Sequence, residues 1–324
     1  MNDKTKGLYH IFLLLCSLAL LAGLGIYVQK NTTSFTQLHS VKIEFVVLLV
    51  FTHVIGFWFL GMTHKLPLEK NKITLSFKEW YGLSLVAELF NMLLPANGGT
   101  GIRMLYLKSK KNLPIREFLT MNFSIILIGF TILGLVGIIY CEFFLQKNNT
   151  IFILLESVFV ALIISGIVLV FAAEALAKIF NFKRKYSPRI YLRDVNLSYK
   201  LALCWLAMFI LYPLKMYLSF KCIGIDLTFF QSIELSLILL TSLVFQVLPG
   251  NLGIKELITT YVAKQFGIPL EAALIASLID RLILLLFLFP MGFYFYWQLF
   301  LESVIPKNIL TLMTKPKQSV QISP

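Results

Sequence analysis

Leu94-Pro95-Ala96-Asn97-Gly98-Gly99-Thr100-Gly101-Ile102-Arg103 interrupts an apolar run with a proline, three glycines and an arginine. A similar interruption returns at Leu248-Pro249-Gly250-Asn251-Leu252-Gly253-Ile254-Lys255-Glu256. Proline lacks an amide proton and restricts its predecessor, so each stretch ends a helix. Glycine lets the backbone approach a ligand or a neighbour closely. Two such breaks at corresponding points of two halves are the sequence signature of a binding site in a membrane transporter.

The surrounding composition makes the breaks unusual. Hydrophobic residues make up 58% of the 324, charged residues only 14%, and mean hydropathy is +0.82, which excludes an ordinary soluble domain. Most apolar runs reach 18 residues or more, enough to cross a hydrocarbon core of about 30 Å as helices. No hydrophilic stretch is long enough for a separate nucleotide-binding or transferase domain on this chain. The net charge of +13 lies in short loops, as the positive-inside bias requires, and not in a nucleic-acid patch. Cys16, Cys141, Cys204 and Cys222 fall in or beside separate apolar segments without CxxC spacing, so neither disulfides nor a metal site is expected. The run at 11–28 reads as a retained first helix, being longer than a signal-peptide core.

Charge parity then sets the topology. Crossings are expected at 9–28 and 43–62, followed by a basic cytoplasmic loop at 64–79. Residues 80–107 are flanked by basic loops on both sides, which a single crossing would not allow. A re-entrant hairpin restores the parity, and its tip must line protein or a water-filled cavity. Crossings at 118–140 and 151–173 lead to a second basic segment at 174–200, and a crossing at 199–220 follows. A second hairpin at 229–266 and a crossing at 271–297 complete the chain, with both termini cytoplasmic. The expected fold is all-α and polytopic, with about six full transmembrane helices plus two re-entrant helical hairpins in an inverted repeat. Its units are 1–148, 149–300 and a cytoplasmic tail, 301–324. Pro95 and Pro249 stand 154 positions apart and the closing helices start near 118 and 271, an offset of 153, which supports the repeat.

At the first break, Asn97, Gly98 and Gly99 let the backbone approach a ligand, a half-helix starting near Gly99 to Ile102 aims free amides and its dipole at an anion, and Arg103 adds a guanidinium fork. The competing reading is a kinked helix whose arginine snorkels to the interface. At the second, Pro249 and Gly250 precede Lys255 and Glu256. Asp280 and Arg281 sit in the middle third of the last apolar run, where ionisable groups need partners. Being adjacent, they face different directions and are expected to pair with other segments. Glu88 and Asn91 share one helix face, and Glu234 precedes the second break. These acids either hold a proton or cation or pair with Arg103, Arg281 or Lys215. His53 reads as a structural histidine. HExxH, GxSxG and P-loop patterns are absent, and no cofactor is expected.

These residues resemble the flippase-like membrane family typified by the transmembrane region of lysylphosphatidylglycerol synthase. The resemblance rests on Leu94-Pro95 with Gly98-Gly99 and Arg103, on Pro249-Gly250 with Leu252-Gly253 and Glu256, and on Ala272-Ala273 leading to Arg281 and Pro290. It implies flipping of an anionic phospholipid or a polyprenyl-phosphate-linked glycan across the bacterial cytoplasmic membrane, with Arg103, Glu256 and Arg281 as matching positions. The chain departs from the family pattern at Thr100, where many relatives carry an acid, and at Asn122 and Ser124, where an arginine is common. The alternative is a membrane enzyme or accessory subunit of surface glycan or lipid synthesis. A homo-oligomer or a partner synthase fits either expectation.

Overall fold

The computed structural model describes residues 41–94, 97–144, 156–168, 171, 188–242 and 249–301. Among the described residues 87% are helical and none lies in a strand, so the fold is all-α. Among the described residues four helices are long and apolar enough to span a membrane: α1 (Ile43–Lys70), α4 (Ile115–Phe144), α6 (Val195–Cys222) and α9 (Leu270–Tyr296), which a π turn at Trp297–Leu301 extends. Between them lie α2 (Phe77–Leu93), α3 (Gly98–Lys111), α5 (Glu156–Val168), α7 (Phe229–Ser242) and α8 (Ile254–Gln265). The crossing expected at 9–28 and the tail from 302 onward lie outside the described residues, as do parts of the 151–173 crossing.

Helix α1 runs eight residues past the expected end at 62. Pro67 sits in its last turns, and Lys65 pairs with Glu69 at 3.5 Å one turn on. The helix stops only where Lys72 turns left-handed (φ 59°). The basic loop read at 64–79 is thus mostly helix, because an amphipathic continuation keeps its hydrogen bonds after the apolar run has ended.

Helix α2 starts where the Glu79 carboxylate returns to accept from the Ser76 amide (2.8 Å) and hydroxyl (3.0 Å), a capping box. It ends at Leu94 in extended backbone, and Asn97 adopts the left-handed conformation before α3. The two helices are antiparallel. At their open end the Tyr106 hydroxyl donates to Glu79 Oε1 (2.9 Å) and Lys111 Nζ pairs with the same oxygen (2.7 Å). At the tip the Gly99 amide donates to Asn91 Oδ1 (2.9 Å). A Cβ at Gly99 would lie 1.7 Å from the Ala87 carbonyl oxygen, so only glycine permits this approach. Helices of 17 and 14 residues reach about 26 and 21 Å at 1.5 Å per residue, short of the ~30 Å hydrocarbon core.

Small residues bring the long helices onto this hairpin. Gly61 of α1 faces the Trp80 ring, Gly82 of α2 faces Phe295 of α9, and Gly292 of α9 faces Leu89. Helices α1 and α6 form the most extensive pair. On the other side α4 meets α7, where Tyr140 donates to the Phe230 carbonyl (3.1 Å) and Leu133 shares a cluster with Leu237 and Leu240. The second break is a 3-10 turn at Pro249–Asn251, with left-handed backbone at Gly250 (φ 56°), Asn251 (φ 49°) and Gly253 (φ 82°). It packs on α2, and a Cβ on Gly250 would lie 3.3 Å from Met92. Met92 precedes Leu94-Pro95, so the two breaks meet in the fold.

Candidate functional site

The second break is held by adjacent residues of α9. Arg281 donates through Nε to Glu256 Oε1 (2.6 Å), through Nη1 to the Gly250 carbonyl (3.1 Å) and through Nη2 to the Asn251 carbonyl (3.5 Å). Glu256 Oε2 accepts from the Gly253 amide at 2.8 Å, so one carboxylate caps α8 and binds the guanidinium. Glu256 is 1% exposed. Asp280 pairs with Lys255 through Oδ2 and with His53 Nε2 through Oδ1 at 3.2 Å. Asp280 and Arg281 do pair with other segments, each taking the opposite charge from the adjacent residues 255 and 256. His53 is tied into that network. Pro249 and Asn251 are buried, and neither amide atom of the Asn251 side chain has a hydrogen-bond partner among the described residues.

The first break is built differently. Arg103 is 6% exposed, and Nη1 donates to His64 Nε2 at 2.5 Å. His64 Nδ1 lies 3.1 Å from the Leu60 carbonyl, so the neutral tautomer with Nδ1–H donating there leaves Nε2 free to accept. The Asn122 side-chain oxygen lies 3.3 Å from the same Nε2. Among the described residues no carboxylate pairs with Arg103, and the acid acting on it through space is Glu88. Glu88 accepts from Asn91 Nδ2 (3.1 Å), whose Oδ1 holds Gly99. The Gly99 amide, one of those expected to be free for an anion, is therefore already bonded within the hairpin. Asn97 and Gly98 shape the turn.

A cavity of about 320 Å³ is walled by α1, α2, α6, α7 and α9. None of the described residues of either break lines it, nor do Arg103 and Arg281, and it connects to the breaks through Glu88, bonded to Asn91, and His53, bonded to Asp280. Its polar lining is His53, Glu88, Tyr212 and Lys215. The Lys215 ammonium lies 4.3 Å from the Tyr212 ring centroid, a cation–π contact. Glu234, half-buried on α7, does not line this cavity. No cluster of metal-ligating side chains occurs among the described residues. Sequence reasoning did not single out His64 or Tyr212. The signal available for His64 was a histidine just past an apolar run, and only the crossing of α1 and α3 gives it a partner.

The four apolar spans among the described residues, with a broken helical pair and a buried charge network, define a multi-pass integral membrane protein with interrupted helices. The chain belongs to the family described as the lysylphosphatidylglycerol synthase transmembrane region, whose model matches residues 13–292. That membership indicates a membrane protein in lipid- or glycan-related processes. No curated protein matches the chain.

Proposed function

We propose that the protein is a lipid transporter that moves an anionic phospholipid or a polyprenyl-phosphate-linked glycan across the bacterial cytoplasmic membrane. The observation that carries this reading is the meeting of the two breaks, Met92 against Gly250, with hydrogen bonds linking them through Glu88 and His53 to a cavity lined by both charges. Both breaks are hairpin tips, the chain is an inverted repeat, and the termini are cytoplasmic. Each closing helix packs on the other half's hairpin, α9 on α2 and α4 on α7, as a repeat with exchanged partners requires.

Arg103 is the anion-binding group. A guanidinium buried against a neutral imidazole carries a charge that a phosphate neutralises, in the bidentate geometry that suits it. Arg281, saturated by Glu256 and two carbonyls, instead holds the second tip in shape, with Pro249, Gly250, Lys255 and Glu256. Glu88 sets the field at the cavity mouth and Asp280 orders His53 and Lys255. The protein makes no covalent change to its cargo.

Mass spectrometry of lipid carried through purification tests this reading. Wild-type protein is expected to retain a phosphate-bearing lipid, and Arg103→Gln to retain about tenfold less or lower, since a charge-assisted hydrogen bond is worth about 1.5–3 kcal/mol. Equal retention by both would remove Arg103 from the site, and a glycosyl or phosphoryl product formed by the purified chain would favour an enzyme.

A further inference from the structure

The reading above leaves open what drives the lipid, and the groups around His53 bear on it. The His53 ring, on α1, forms part of the cavity wall together with Glu88 of α2 and Lys215 of α6. Behind it stands Asp280 of α9, whose second oxygen holds Lys255 of α8. Lys215 and Lys255 both act electrostatically on His53, as does Asp280. The group therefore draws on five helices. Two ammoniums and two carboxylates cancel, so the protonation state of one imidazole decides whether the cavity is neutral or carries a single positive charge. An anion entering a low-dielectric cavity is favoured by that added charge, and by linkage the bound anion favours the proton equally.

We propose that translocation is coupled to protons, one proton entering on His53 with each anionic head group. This rests on the lipid-transport reading. His53 Nε2 is engaged by Asp280, and Nδ1 has no hydrogen-bond partner among the described residues. A hydronium ion entering from the acidic side gives its proton to Nδ1, its O–H bond breaking to leave water as the Nδ1–H bond forms, and the imidazolium keeps Nε2–H on Asp280 Oδ1. When the cavity opens to the other side the Nδ1–H bond breaks, and the proton passes to water there as the head group leaves. No other bond is made or broken. While charged, the imidazolium competes with Lys255 for the Asp280 carboxylate. Lys255 lies in the first turn of α8, four residues past the Pro249–Asn251 turn, so the charge on His53 reaches the second break. The neighbouring Arg281–Glu256 pair keeps that break attached while Lys255 is loosened.

The experiment uses the full chain in vesicles of phosphatidylcholine and phosphatidylglycerol, with NBD-labelled phosphatidylglycerol as probe and a pH dye in the lumen. With the outside more acidic by about one pH unit, inward lipid movement is expected to speed up by up to about tenfold, the lumen acidifying in step. His53→Gln can still donate to Asp280 but cannot take up a proton. Both the gradient response and the acidification are expected to vanish in it, and its rate to become flat across pH. Asp280→Asn is expected to lose the same response. Melting curves matching wild type exclude misfolding for whichever variant is scored. Lipid movement by wild type with no acidification of the lumen, or a wild-type gradient response in His53→Gln, overturns the coupling alone. Proton entry that requires His53 without any lipid movement keeps the proton path and overturns the cargo. Silence in both readouts overturns both.

Discussion

Gly99 and Arg281 do opposite jobs at the two tips, one by having no side chain and the other by having the longest reach. A Cβ at residue 99 would collide with the Ala87 carbonyl, which is backbone and cannot swing aside. Gly99→Ala should therefore part α3 from α2, break the bond to Asn91, and cost about 1–3 kcal/mol or more, as overpacking does. Gly101, with open space around its Cβ position, is the control: Gly101→Ala should leave the melting temperature in detergent at or above wild type, since alanine favours a helix. Arg281→Ala leaves Glu256 charged and buried, which costs about 3–5 kcal/mol. The double change Arg281→Met with Glu256→Gln should recover a large part of that loss in thermal melting. No recovery would mean that the carbonyls of Gly250 and Asn251, and not the carboxylate, are what the guanidinium serves. Which base meets which acid was not legible in the sequence. It depends on the rotational phase of α8 and α9, and the spacing of Lys255, Glu256, Asp280 and Arg281 permits either match. The reading that Asp280 and Arg281 turn away from each other needed only the 3.6-residue period, and it agrees with the contacts.

Among elements, the breaks and the long apolar helices were legible because proline, glycine and hydropathy act locally. The end of α1 was not, because its last two turns are held by Lys65, Glu69 and contacts outside the apolar run. One such contact joins the chain across 124 positions of sequence: Lys70 Nζ pairs with Asp194 at 2.9 Å, and Asp194 Oδ1 caps α6 by accepting from Leu197 (3.0 Å). The Lys70 ammonium and that amide hold the Asp194 carboxyl below its usual range. A depressed folded-state pKa means the contribution is complete above the unfolded value of about 4 and is lost as pH falls through the folded value. Asp194→Asn keeps a capping oxygen and drops the charge. The variant should melt slightly below wild type at pH 7, with the difference closing as the pH falls below about 4. A gap that persists at acid pH would show that Lys70 is not the cause.

At the scale of the whole molecule, charge parity sets an expected orientation for each run, and the 153–154 residue offset sets an expected pairing of the halves. Neither could show that Met92 and Gly250 touch, or that Arg103 would face a histidine in place of an acid, because both are products of helix crossings. The hairpin reading makes its own prediction. Single cysteines placed on both flanks of the second hairpin, at Thr228 and Gly267, should react with an impermeant maleimide from outside the cell, whereas Lys78 and Asn112, flanking the first, should react only from the cytoplasm. Labelling of Thr228 and Gly267 from opposite sides would turn that element into a full crossing and reverse α9. The most direct measurement of the central claim is dithionite quenching of NBD-phosphatidylglycerol in vesicles holding purified wild-type protein or Arg103→Gln. The predicted result is protein-dependent loss of the protected inner-leaflet signal, slowed about tenfold or more by the substitution. Equal rates in wild type, Arg103→Gln and empty vesicles would contradict it.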